Sequence, residues 1–445
     1  MGCTARRVRQ HGKSSALLIL VACVIMLAGC YSWFTPPGDG DLPPVDNGTT
    51  AAIALLVESS LTRSIADSLL VFKEDLTVEG YRVIERAVER SASPREVRDI
   101  LESLYRDDGQ LVGAFLVGDI PAAYFEARTG DYSNPNALEI FINLDATDMY
   151  YMDLDGGWEY DPSPDVMEGR PANVVQCTLD PSVEAFSDRY IVYLDEDKKW
   201  DYSQVADKGQ YEIEIWVSRI MGHNLAIPGA DEASVIRDYF EWNHLYRTGH
   251  ADIADKANLI GAIDGTNEQG MDWSALCANV ARASDVSAQE FEGILASPGG
   301  AEVLYLTAHS TPQAHQLLDT TITTSDLAFL PKNAVFYLLN ACSACRWDQY
   351  VMSPSDPNYL GGMYVFSKTQ QPSGDFGICA IGFAGVGGFN WLSYFTEYLN
   401  SHPGSSYGEA FRYWFNRNLS HIFGIWNYVI LGDPTIGPEV TSDSS

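Results

Sequence analysis

Hydrophobic residues in this chain come in short dense runs, separated by stretches where they recur every three or four positions. Residues 51–57 (AAIALLV), 112–117 (VGAFLV), 258–263 (NLIGAI), 303–306 (VLYL), 334–339 (AVFYLL) and 376–381 (FGICAI) are runs of the first kind. A strand covered on both faces reads this way, because neither side of its pleat meets water. Residues 81–84 and the alternating 212–217 (EIEIWV) add two further strands, and 61–72, 94–105, 232–246, 391–400 and 407–416 carry helical spacing. Strands alternating with helices predict an α/β fold whose mainly parallel sheets are flanked by helices on both faces. The polar, aromatic stretch 121–210 interrupts the alternation, which restarts near residue 250. Two lobes are therefore expected, 51–250 and 251–437, with a short tail at 438–445.

The first 50 residues do not fit this rhythm. Arg6, Arg7, Arg9 and Lys13 precede an apolar stretch over 16–28, which ends in Leu27-Ala28-Gly29-Cys30. A basic start, a short apolar core and small residues before a cysteine have the form of a bacterial lipoprotein signal. The expectation is a leader over 1–29, lipidation of Cys30, a Pro-, Gly- and Asp-rich tether over 30–50, and a protein anchored to a membrane of the cell envelope. Composition removes other classes. Acidic residues outnumber basic ones 60 to 28, for a formal charge of −32, so nucleic acid is not an expected partner. Outside the leader and Cys30 stand Cys177, Cys277, Cys342, Cys345 and Cys379. That number is odd, so at least one thiol stays outside any intrachain disulfide.

Chemistry concentrates where two apolar runs stop. Residues 303–306 lead into Thr307-Ala308-His309, and 334–339 into Asn340-Ala341-Cys342. In an open parallel sheet the carboxyl ends of the strands border the ligand crevice. A histidine and a cysteine leaving two such strands suit nucleophilic attack on a carbonyl, with the imidazole moving the proton. His315, six residues beyond His309, falls in a polar loop and reads as solvated. Asp153 and Asp155 offer oxygen ligands of the kind Ca²⁺ takes, although an acidic loop without an ion has the same spacing. Ser310, Ser343 and Ser353 are not set in a Gly-x-Ser-x-Gly elbow, and Gly382, Gly385, Gly387 and Gly388 miss the Gly-x-Gly-x-x-Gly spacing, so these residues do not point to a serine hydrolase or a phosphate-binding loop.

In these two positions, and in several others, the chain resembles the gingipain family of cysteine peptidases, of the clan that includes caspases, legumain and clostripain. Thr307-Ala308-His309 and Ala341-Cys342 fit the two clan blocks. Residues 115–121 (FLVGDIP), 147–156 (TDMYYMDLDG), 216–220 (WVSRI), 408–411 (GEAF) and 431–435 (LGDPT) resemble further family segments, in order along the chain. The resemblance implies a caspase-like fold and a cysteine endopeptidase acting on peptide or protein substrates, with no metal or organic cofactor required. It gives Cys342 the role of nucleophile, His309 that of acid and base, and Asp148 that of the acid orienting the histidine. The backbone N–H groups of Cys342 and Ser310 would then receive the oxyanion. Two departures open alternatives. Ser310 stands where the clan has glycine, and Cys345 follows Cys342 at a spacing used by redox pairs. A weak or inactive peptidase fold that binds peptides or envelope partners, and a thiol–disulfide protein, are the competing readings. The sequence leaves primary specificity and oligomeric state open.

Overall fold

The computed structural model describes residues 50–130, 140–156, 158–161, 174–177, 190–191, 212–222, 225, 227–250, 253–262, 265–266, 268, 270–349, 353–368, 377–389, 392–418 and 427–438. The leader, Cys30, the tether up to residue 49 and the tail from residue 439 lie outside these. No described helix is long and apolar enough to cross a membrane.

The chain begins with β1 (Ala52–Glu58), every residue of which is buried. Helix α1 covers Ala66–Val78, later than the periodicity predicts. The hydroxyls of Thr62 and Ser64 bond backward to the carbonyls of Ser59 and Leu61, so the chain turns there before the helix starts. Leu61 and Ile65 nevertheless reach the core that the pattern predicts for them. Strand β2 (Arg82–Val88) leads to α2 (Pro94–Asp108). The start of α2 is written in its sequence. Ser93 and Glu96 form a reciprocal capping box, Pro94 opens the first turn, and Gly109 closes the helix in a left-handed conformation at φ +63°.

After β3 (Leu111–Val117) the strands β4 (Ala123–Gly130), β5 (Ile140–Thr147), β6 (Trp158–Asp161), β7 (Val174–Cys177) and β8 (Tyr190–Ile191) form a separate small sheet, with the short helix α3 (Met149–Met152) between β5 and β6. The main sheet resumes with β9 (Trp216–Ile220), α4 (Glu232–Arg247), β10 (Lys256–Gly261), β11 (Asn279–Ser284), α5 (Ala288–Leu295) and β12 (Ala301–Ala308). A three-stranded hairpin sheet follows, of β13 (Ser310–Thr311), β14 (Ala314–Gln316) and β15 (Thr321–Thr323). Then come α6 (Thr324–Leu327), β16 (Ala334–Ala341), α7 (Leu360–Val365), β17 (Cys379–Phe383), α8 (Ser393–Ser401), α9 (Tyr407–Asn418) and β18 (Tyr428–Gly432).

Ten strands make the main sheet, in the order β11-β10-β12-β16-β17-β18-β9-β3-β1-β2. Strands from residues 51–250 lie at one end and strands from 251–437 at the other. The two sets meet where β18 pairs in parallel with β9, Ile430 opposite Ser218. Strand β18 is antiparallel to β17, so the sheet reverses direction one strand before that seam, between β17 and β18, and the strands on either side of the reversal present their carboxyl ends to opposite sides. The outermost strands, β2 and β11, are only partly covered and carry charged residues, Arg82, Glu85 and Arg86 in β2 and Arg282 in β11, which discourage further pairing at the edges.

Aromatic side chains fill the core near the seam. Phe72 of α1 stacks on Phe240 of α4 and meets Phe115 edge-on, which in turn abuts Trp216. Trp216 needs glycine on two sides: a Cβ on Gly113 would fall inside its indole, and one on Gly408 would lie 2.8 Å from it. Asp433, just past β18, is buried and accepts from Asn243 at 2.7 Å, while Arg247 also reaches it. The Leu-Gly-Asp-Pro-Thr segment thus anchors α4 to the end of the seam strand.

Candidate active site

Strands β12 and β16 are paired in parallel, with Thr307 opposite Asn340 and Ala308 opposite Ala341. His309 and Cys342 are the residues that follow this last pair on the two strands. Both are half-buried, whereas the residues of β16 are all buried and β12 has one partly covered position. The pair therefore stands at the carboxyl end of two adjacent strands, at the boundary between core and solvent, where a parallel sheet offers a crevice. The Cys342 thiol approaches the Gly387 carbonyl at 3.6 Å. The backbone carbonyl of His309 accepts from Gln316 N–H at 2.8 Å, which ties the histidine to β14.

The turn beyond Cys342 is unusual. Ser343 adopts φ +55°, a left-handed conformation rarely taken by a residue with a side chain. Its N–H donates to Gly385 at 2.7 Å, and Cys345 N–H donates to Phe383 at 2.8 Å, so the chain folds back along the end of β17. Asn340 completes the frame by donating to the Tyr305 hydroxyl and accepting from Phe389 N–H, each at 3.0 Å. The glycine-containing loop 384–389 is thereby fixed beside the thiol.

Cys345 occupies a different environment. It is a thiol, not disulfide-linked to Cys342, and lies wholly buried. A Cβ on Gly361 or Gly382 would lie 2.7 Å from its Sγ, so both neighbours have to be glycine. Burial pushes this thiol well above the usual cysteine range, which suits a core side chain and opposes thiol exchange. Cys277 and Cys379 are likewise buried thiols.

Asp148 is not at the dyad. It is completely buried and receives Arg219 in a bidentate grip, with Nε at 3.0 Å from both oxygens and Nη2 at 2.7 Å from Oδ1. The same guanidinium donates to the carbonyls of Ile120 and Pro121 and lies over the Trp347 ring, 3.5 Å from its centroid. Asp148 therefore binds the Arg219 of β9 instead of orienting His309, and among the described residues the imidazole has no carboxylate partner. The missed signal was Arg219 itself. A lone arginine in an otherwise apolar buried strand requires an acid, and Asp148 is that acid.

His315 also differs from its expected place. It is fully buried, between Phe291 and Tyr364, and burial lowers its pKa to about 3. Its Nδ1 lies 2.6 Å from the Ser310 hydroxyl. His315 belongs to strand β14 and not to a polar loop, and alternation over so short a strand leaves no period to detect.

Asp153, Asp155 and Glu214 bring carboxylate oxygens within 4.8 Å of one another. Hydrogen bonds from Gly156 N–H and Trp158 Nε1 reach Asp153, and Leu154 N–H reaches Glu214. Burial raises the pKa of Asp153 to about 7 and that of Glu214 to about 8. The donor set is of the oxygen type that hard cations take, and protonation relieves the same crowding of charge.

Comparison with known proteins agrees with this architecture. No family model matches the chain, and no curated protein matches it. Among solved structures, the Arg-specific cysteine proteinase gingipain R superposes with a TM-score of 0.55 over 89% of this chain and 80% of its own, at 13% identity. A structure described as that of a protease gives a TM-score of 0.55 over 88% and 79%, also at 13% identity. The complex of Porphyromonas gingivalis RgpB pro- and mature domains gives 0.52 over 87% and 80%, at 12% identity. The chain has the gingipain-like, caspase-like α/β fold. At these identities the likeness concerns the fold, and the chemistry has to be argued from the residues.

Proposed function

We propose that this protein is a cysteine endopeptidase of the gingipain type, with Cys342 as nucleophile and His309 as general acid and base. The observation that supports the reading is the β12–β16 register, whose last pair, Ala308 with Ala341, immediately precedes His309 and Cys342. His309 takes the proton from the Cys342 thiol. The thiolate attacks the scissile carbonyl carbon, a C–S bond forms, and the carbonyl π electrons move to oxygen. Backbone N–H groups of Cys342 and Ser310 stabilise that oxyanion. Collapse breaks the C–N bond, and the imidazolium gives its proton to the departing amine. A water molecule deprotonated by His309 then hydrolyses the thioester, releasing the acid and restoring the thiol.

The substrates are peptides or proteins, and the lipobox-like Leu27 to Cys30 supports placement on a cell envelope through a lipid on Cys30. A peptidase fold that binds peptides without cutting them is the second reading. It rests on Ser310 in the place of glycine and on the absence of a carboxylate partner for His309 among the described residues. Incubating the reduced protein with a peptide library, beside Cys342→Ala, decides between them. The proposal expects cleavage that falls at least 10³-fold in the variant. Cleavage equal in both proteins, or none in either, contradicts it.

A further inference from the structure

His315 is an expensive residue to bury unless its polar atom has a use. An apolar side chain would fill the space between Phe291 and Tyr364 without leaving a ring nitrogen unsatisfied, yet Nε2 has no hydrogen-bond partner among the described residues. All of its polar engagement is at Nδ1, which meets the Ser310 hydroxyl at 2.6 Å. A buried N–H lacking an acceptor costs more than an unused lone pair, so the proton is assigned to Nδ1, with Ser310 Oγ as acceptor.

The place of this bond in the hairpin gives it its meaning. Ser310 and His315 are direct partners across β13 and β14. One position outward, Gln316 N–H holds the His309 carbonyl at 2.8 Å. The far side of the hairpin is fastened too, by Leu360 N–H to Pro312 and Thr324 N–H to Gln313. The hairpin that begins at His309 is thus pinned to the core through His315, and the backbone on both sides of Ser310 has little freedom. Ser310 is directed inward to His315, and alternation along an extended chain turns the neighbouring His309 to the opposite side. The hydroxyl therefore acts on the histidine's backbone and not on the substrate.

We propose that Ser310 and His315 form a buried clip that positions the His309 imidazole for the Cys342 thiol, making His315 a positioning residue of the site. The inference rests on the peptidase reading above. Serine in the clan's glycine position is then a replacement of backbone tightness by a side-chain bond. Deep burial disfavours the charged form of His315, so the clip does not depend on protonating it.

The test is the pH profile of Cys342 alkylation by iodoacetamide in the full chain, mapped by mass spectrometry, together with kcat and KM on a cleaved peptide. Ser310→Ala and His315→Phe are each expected to slow neutral-pH alkylation and kcat about tenfold with KM nearly unchanged. The double variant should be no slower than either single one, because both remove one interaction. Ser310→Thr, which keeps the hydroxyl, and His315→Asn, which keeps a polar atom at the Nδ1 position, should recover most of the rate. Where His315→Phe fails to fold, the Ser310→Ala and Ser310→Thr pair decides. A folded Ser310→Ala with a wild-type profile and kcat overturns the inference, as do single effects that multiply in the double variant. If the wild-type thiol itself shows no activation at neutral pH and His309→Ala changes nothing, the peptidase reading falls first and the clip falls with it.

Discussion

Asp148 and Arg219 meet in the core with every polar atom engaged, whereas His309 and Cys342 are half-buried and follow the ends of two paired strands. Both pairs join residue types associated with catalysis. The first is closed on all sides: Asp148 and Arg219 are fully buried, and Trp347 lies over the guanidinium. A pair so saturated has no room for a substrate. The second leaves an imidazole and a thiol accessible from one side, with a carbonyl and a tightly held glycine loop beside them. Saturation by neighbours, more than residue type, separates the pair that holds the fold from the pair suited to react.

The comparison is broken most forcefully at the buried pair. Asp148→Ala leaves Arg219 charged in the core, and removing one partner of a buried ion pair typically costs about 3–5 kcal/mol. Thermal and denaturant unfolding should show that loss. The alkylation rate of Cys342 in the folded protein should stay within about twofold of wild type. A large fall in Cys342 reactivity with little loss of stability would return Asp148 to the dyad.

A smaller effect sharpens the contrast by using charge without catalysis. Asp153 and Glu214 have folded-state pKa values of about 7 and about 8, above their ordinary range because of burial. Groups raised in the folded state contribute most when protonated, below the ordinary carboxylate range. That contribution is lost as pH rises through 7 and 8. Stability should therefore fall between pH 5 and pH 8, by an amount on the order of a few kcal/mol. Glu214→Gln should flatten the curve, as read by melting temperatures across that range. An unaltered slope would mean that the cluster is neutralised in another way.

Much of this arrangement was legible in the sequence, for identifiable reasons. The uninterrupted apolar runs of β1, β3, β12 and β16 announce strands covered on both faces, and Ser93, Pro94, Glu96 and Gly109 delimit α2 through local capping chemistry. The edge strand β11 (NVARAS) and the full length of β2 were not legible, because an edge strand is only partly covered and its few apolar residues form no continuous run. His309 and Cys342 were visible as reactive residues at strand ends. That their strands are direct neighbours was not, since pairing between strands 33 positions apart is encoded by no local pattern. The partner of Asp148 was not legible for the complementary reason. An acid beside aromatic residues has the same appearance whether its partner is a histidine or an arginine distant in the chain.

The central claim is that the crevice end of β12 and β16 activates a thiol while the buried cysteines stay inert. Its most direct test exposes the folded protein at neutral pH to a limiting amount of iodoacetamide, and locates the label by peptide mass. The account predicts modification at Cys342 ahead of Cys277, Cys345 and Cys379, with a rate that drops at least tenfold in His309→Ala. Labelling spread over several cysteines, or confined to Cys342 at a rate indifferent to His309, would contradict it.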